Sequence, residues 1–171
     1  GSCGPERLRY ARRLAERSGR AFLAASELDT ADAVNDALGE ARWHRTADGV
    51  VVEFPAEVDV IELIGAAAAA DSRARLVDLV CVVDAAHLLG DLDRDDYVTR
   101  TSEHGFEMTA SALLLVRQVE YASAIVLVNW SAVATARLSA LMALISHLGP
   151  LAHLGLYDND QVCALDGAPF E

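Results

Sequence analysis

Two acids close apolar runs in this chain. Glu53 follows Val50, Val51 and Val52, and Asp84 follows Val80, Cys81, Val82 and Val83. Carboxylates at neighbouring strand ends can divide acid and base roles when their surroundings push their pKa values apart. They can equally be strand-end acids with no part in chemistry. A second candidate is cationic: Arg7, Arg9, Arg12, Arg13, Arg17 and Arg20 crowd one short segment. Guanidinium groups at that density suit phosphate or RNA, and Arg9, Arg13 and Arg17 are the residues expected to meet such a partner. The alternative is a solvated helix face. A third candidate, Asp91, Asp93, Asp95 and Asp96, offers oxygen ligands for a hard cation. It lacks the glycine and terminal Glu of an EF-hand loop and reads as a solvated loop. Cys3, Cys81 and Cys163 are dispersed, with no CxxC, and the five histidines show no His-x-x-x-His spacing. Reduced thiols and no metal site are the expectation.

Composition narrows the choice. With 171 residues, 53% of them apolar, the chain is long enough for one domain with a sizeable core. The formal net charge is −12, the opposite of the basic field that a non-specific nucleic-acid binder needs. The Arg7–Arg20 stripe is the local exception. All 14 basic residues are arginine, so no mechanism here can use a lysine. No uncharged stretch reaches the roughly 20 apolar residues of a membrane span, and no basic segment precedes an apolar one as in a signal peptide. A cytoplasmic protein without membrane contact is expected.

These residues need elements to position them. Pro5 to Ser18 reads as a helix with Pro in its first turn and Gly19 beyond its end, and Leu8, Ala11, Leu14 and Ala15 form its apolar stripe. Ala21–Ser26, Val50–Phe54, Leu79–Asp84, Ala124–Asn129 and Ala152–Leu156 read as strands. Thr30–Leu38, Val58–Ala70 and Thr109–Tyr121 read as helices, and a further helix capped by Ser131 runs to Leu148. Ala41–Thr46 reads as an edge strand before an Asp48-Gly49 turn, and Ala85–Glu107 as a long acidic loop. Near-continuous apolar strands alternating with helices predict an α/β fold: an open, mostly parallel sheet flanked by helices. Ligands of such sheets sit at the carboxyl ends of the strands, where Glu53, Asp84 and Asn129 fall.

Two stretches then carry a resemblance. Val80-Cys-Val-Val-Asp-Ala-Ala-His-Leu-Leu89, followed by Gln118-Val-Glu-Tyr-Ala-Ser-Ala-Ile-Val-Leu-Val-Asn129, resembles the CobW-type metallochaperone GTPases. That family carries a VVDAxHF strand end and, further on, QIEFADVILLNKxD, whose last four residues read guanine. Val50-Val-Val-Glu-Phe-Pro-Ala56 resembles its VIETTG switch segment. Gly1-Ser-Cys-Gly-Pro-Glu-Arg-Leu8 looks like its phosphate loop, GFLGAGKT. The blocks keep the family's order over roughly residues 1–156. The resemblance implies a P-loop NTPase-like fold, a strand before Gly1, and a C-terminal domain after the GTPase domain. The chain would then be a single degenerate domain lacking both.

Each matched motif departs from the family's chemistry. Gly1 and Gly4 persist, but Glu6 replaces a glycine, Arg7 replaces the phosphate-binding lysine, and Leu8 replaces the hydroxyl that holds Mg²⁺. Glu53 is kept, yet Ala56 stands for the switch glycine. Asn129 is kept, while Trp130 and Ala132 replace the Lys and Asp of the base-reading motif. Trp130 could stack on a ligand or pack over an emptied pocket. The family's Cys-x-Cys-Cys is missing from Leu28–Gly49. Gly1, Gly4, Arg7, Glu53 and Asn129 thus outline a vestigial nucleotide pocket. The expectation is a pseudo-GTPase without cofactor or metal. It would bind a protein partner, or a ribosome or RNA through the Arg stripe, in metal or zinc-starvation homeostasis. The alternatives are an active, divergent GTP-dependent metallochaperone using GTP/GDP with Mg²⁺, or an enzyme reusing the pocket for a small molecule.

Overall fold

The computed structural model describes residues 4–24, 49–54, 56–68, 75–102, 105–158 and 161–164. In chain order these form α1 (Gly4–Ser18), β1 (Ala21–Leu23), β2 (Val50–Val52), α2 (Val60–Ala68), β3 (Val80–Asp84), α3 (Leu88–Leu92), β4 (Tyr97–Ser102), β5 (Gly105–Ala110), α4 (Ser111–Glu120), β6 (Ala124–Val128), α5 (Thr135–Leu148), β7 (His153–Asp158) and β8 (Gln161–Ala164). Helices separate the parallel strands β3, β6 and β7, as in an α/β fold, while β4–β5 and β7–β8 follow one another directly. The helix expected at Thr30–Leu38 and the edge strand at Ala41–Thr46 lie outside the described residues.

The larger sheet runs β3-β6-β7-β8, parallel across its first three strands and closed by antiparallel β8. β1 and β2 form a separate parallel pair. The expected single sheet is therefore divided: among the described residues no ladder joins β2 to β3. α1 packs against both parts, touching β1, β2 and β3.

Strand alternation builds the two faces of the larger sheet. Cys81, Val83, Ile125 and Leu127 point to one side and meet Leu88, Leu115, Val119, Leu141 and Ile145. Val82, Val126 and Val128 point to the other, where Tyr10 and Leu14 of α1 cover them. Tyr10 meets Tyr157 edge-on at 5.3 Å between ring centroids. Of the apolar stripe read from periodicity, Ala11 and Ala15 are buried and Leu8 and Leu14 half-buried; Tyr10 joins them as the largest buried side chain of α1.

Backbone chemistry ends these elements. Gly19, at φ +65°, closes α1 in a Schellman arrangement: its N–H donates to Glu16 O at 3.4 Å and the Arg20 N–H to Ala15 O at 3.0 Å. Ser131 does not cap α5. A short 3₁₀ turn, Trp130–Ala132, intervenes, and the helix begins at Thr135. The acidic stretch 85–107 is not one loop either. It holds α3 and most of a β4–β5 hairpin whose Val98, Thr99 and Thr101 are β-branched.

Candidate functional site

The carboxyl ends of β2, β3 and β6 and the first turns of α1 carry the candidate residues. Glu53 follows β2 directly, its N–H donating to Leu23 O at 2.9 Å, so the β1–β2 pairing continues to this residue. Its side chain is buried, and Arg7 Nε donates to Glu53 Oε1 at 2.5 Å. Arg7 is itself only 17% exposed. The cation of the Gly4–Leu8 segment is thus turned inward onto a carboxylate.

Asp84 ends β3, and its Oδ2 accepts from Asn129 Nδ2 at 2.8 Å and from His87 Nδ1 at 3.0 Å. Its Oδ1 accepts the Ala86 N–H at 2.8 Å. Burial alone would raise the Asp84 carboxyl. The donors Asn129, His87 and Ala86 outweigh it and hold the group below the usual carboxylate range. His87 moves the other way: its hydrogen bond to Asp84 and that carboxylate's charge raise it, with Asp91 and Glu6 adding to the effect. Asn129 reaches Asp84 from a left-handed backbone, φ 55° and ψ 21°, a conformation asparagine tolerates better than most residues.

The segment after Glu53 is tied down further. Gln118 Nε2 of α4 donates to Ala56 O at 2.8 Å. Asp59 caps α2 through its Oδ1, which accepts the Ile61 N–H at 2.9 Å, while Arg117 of α4 pairs with its Oδ2. Asp59, Arg117 and Gln118 were not singled out from the sequence. Asp59 ahead of an apolar helical run was a legible cap signal; the two α4 residues became partners only through tertiary packing. Trp130 packs against the main core and donates from Nε1 to Tyr157 O at 3.2 Å, so it lies over the sheet as a packing residue.

The Arg stripe divides. Arg9, Arg12, Arg13, Arg17 and Arg20 are exposed on α1 or just beyond it, whereas Arg7 belongs to the Glu53 pair. Arg13 pairs with Glu16 at 3.1 Å, and the Arg12 guanidinium lies 5.6 Å from the Phe22 ring centroid. Gly4 opens α1; Gly1 and Cys3 lie outside the described residues. The contacts described above run from Glu53 to Arg7 and from Asp84 to Asn129, His87 and Ala86.

Three of the described residues that the resemblance assigns to a Mg²⁺–nucleotide are ill suited to it. Arg7 is committed to Glu53, Leu8 has no hydroxyl for the metal, and Asn129 spends its amide on Asp84. Among the described residues no group of three or more His, Cys, Asp or Glu side chains converges as a metal site, and no helix is long and apolar enough to cross a membrane. Comparison of the chain with protein-family models, with curated proteins and with solved structures gives no match.

Proposed function

We propose that this domain is a P-loop NTPase-like fold of the CobW type that has given up GTP turnover and works by binding another macromolecule. The Arg7–Glu53 ion pair carries this reading. A phosphate site needs a cation held ready for the anion, and here a buried carboxylate takes it.

The pinned segment from Glu53 to Asp59 supports the same reading. GTPase switches work by ordering a segment on the γ-phosphate and releasing it on hydrolysis. Arg7, Gln118 and Arg117 hold this segment at Glu53, Ala56 and Asp59 with the protein's own side chains. Among the described residues of this segment, a bound nucleotide would meet side chains already engaged within the protein. The Arg9, Arg13 and Arg17 face of α1 is exposed, a surface for an acidic protein or for ribosomal RNA. The setting in metal or zinc-starvation homeostasis rests on the family resemblance alone.

A fluorescent-GTP titration with Mg²⁺ tests the core of the proposal. No saturable, Mg²⁺-dependent signal at micromolar nucleotide is expected. Micromolar affinity that needs Mg²⁺, or multiple turnovers, overturns it. For the Arg face, co-sedimentation with purified ribosomes compares the parent with a triple Arg9→Glu, Arg13→Glu, Arg17→Glu variant. Binding that ignores those charges removes the stripe from the proposal.

A further inference from the structure

A cavity of about 140 Å³ opens between the segment after Glu53, the end of α3, the start of β4 and α4. Leu114 and Leu115 of α4, both buried, and Val98 of β4 give it an apolar floor. Gln118, 4% exposed, borders the same space with an amide whose Nε2 donates to Ala56 O at 2.8 Å. The remaining lining is charged: Glu57, Asp91 and Asp96 stand around the cavity with Arg94.

Those charges do not balance. Arg94 is engaged with Asp96 in a two-pronged contact, Nε to Oδ1 at 2.9 Å and Nη2 to Oδ2 at 2.6 Å. The bond to Asp96 and that carboxylate's charge raise Arg94, and the charges of Asp91 and Glu57 add to the effect. Both of those carboxylates therefore lie within electrostatic reach of the same guanidinium. Three carboxylates against one guanidinium leave the lining two charges negative. Arg94 is the sole cation among the described residues that line the cavity, and the chain has no lysine to supply another.

Size and polarity then define the occupant. An apolar cavity of about 150 Å³ admits one benzene ring, so this one has room for a single ring or a short alkyl chain. Apolar walls hold a ligand and a few polar groups orient it. An anion is repelled by the negative lining. A cation is drawn to it, and one with an apolar body can lay that body on the floor while its head stays in water. We propose that this cavity binds a small organic cation, an ammonium or amidinium group carried on a single ring or short chain, with the apolar body on Leu114 and Leu115 and the charge at Glu57 and Asp91. Neither Arg7 nor Asn129 takes part, so the site stands or falls apart from the GTP reading.

Benzylammonium is the probe, and backbone amide signals in an NMR titration are the readout. Saturable shifts are expected at Glu57, Ser111, Leu115 and Gln118 and not in β7, with a dissociation constant of about 0.1–1 mM. Benzyl alcohol, the ring without the charge, should bind at least about tenfold more weakly. Methylammonium, the charge without the ring, and benzoate, the ring with the opposite charge, should not saturate. These comparisons use the parent protein and do not depend on how any variant folds. Replacing both acids, Glu57→Gln with Asp91→Asn, should weaken benzylammonium at least about tenfold, whereas Glu16→Gln on α1 should leave it unchanged. Absence of a saturable shift up to about 10 mM benzylammonium overturns the proposal. So does benzyl alcohol that binds as tightly, a folded double variant that binds like the parent, or saturable shifts confined to other elements.

Discussion

Removing Arg7 should expose how much of the fold rests on its pairing with Glu53. The perturbation is Arg7→Met, which keeps the aliphatic stem and deletes the guanidinium. Glu53 has a side chain 5% exposed, so its charge loses the Arg7 guanidinium and gains little water in return. Breaking a buried pair from one side costs about 3–5 kcal/mol. Arg7 retains 17% exposure, so some water reaches the vacated position and the lower end, about 3 kcal/mol, applies. For a chain of this size that is a fall in Tm of about 6–12 °C. Replacing both partners, Arg7→Met with Glu53→Leu, removes the buried charge as well and should recover most of the loss. Thermal and urea unfolding of parent, single and double variants close the cycle. If Arg7→Met lowers Tm by less than about 2 °C, or if the double variant is no better than the single, the pair is not the tie described here.

Gly149 sits where a Cβ would lie 2.7 Å from the Val119 carbonyl oxygen, so Gly149→Ala must shift backbone between α5 and α4 and should cost about 1–3 kcal/mol in urea unfolding; an unchanged midpoint would show that the two helices move apart freely. The Asp84–His87 contact should give a pH-dependent increment. Asp84 is held below its ordinary value, so its share is present above about pH 4 and is lost as pH falls through the lower folded value. His87 is raised, so its share is full below about pH 6.5 and is lost as pH rises through the higher folded value. The Tm difference between parent and His87→Gln should therefore be largest between about pH 4 and 6.5 and shrink above that range. A difference that grows towards alkaline pH contradicts the assignment.

Much of the fold could be read from one-dimensional pattern. The apolar runs at Val80–Val83 and Ala124–Val128 became parallel neighbours because a strand covered on both faces has no polar side to show. α1 was legible from Pro5, its apolar stripe and Gly19. The β4–β5 hairpin was not: its strands carry exposed Phe106, Met108 and Tyr97, so the inside–outside alternation that marks a half-buried strand is inverted. The division between β2 and β3 was equally hidden, since strand content says nothing of which edges pair. At the site, the sequence placed Glu53, Asp84 and Asn129 at strand ends, as the structure does. It did not reveal that Arg7 would face Glu53 or that Asn129 would face Asp84. Those pairings join residues far apart in the chain and depend on how α1 and β6 dock.

The division of the sheet also sets an order of opening. β1 and β2 share three register pairs, and all their residues are only half-buried, whereas Cys81 to Asp84 and Ile125 to Val128 are buried within ladders backed by helices. Local opening draws on the region with fewest buried contacts. Amide hydrogens of β1 and β2 should therefore exchange through a partial opening, well before those of β3 and β6, which await global unfolding. Glu53 belongs to the first group, whereas α1 touches both and reaches the second through Tyr10. The Arg7–Glu53 contact ties α1 to the end of β2, and loosening it should speed exchange in β2 while leaving β6 at its parent rate.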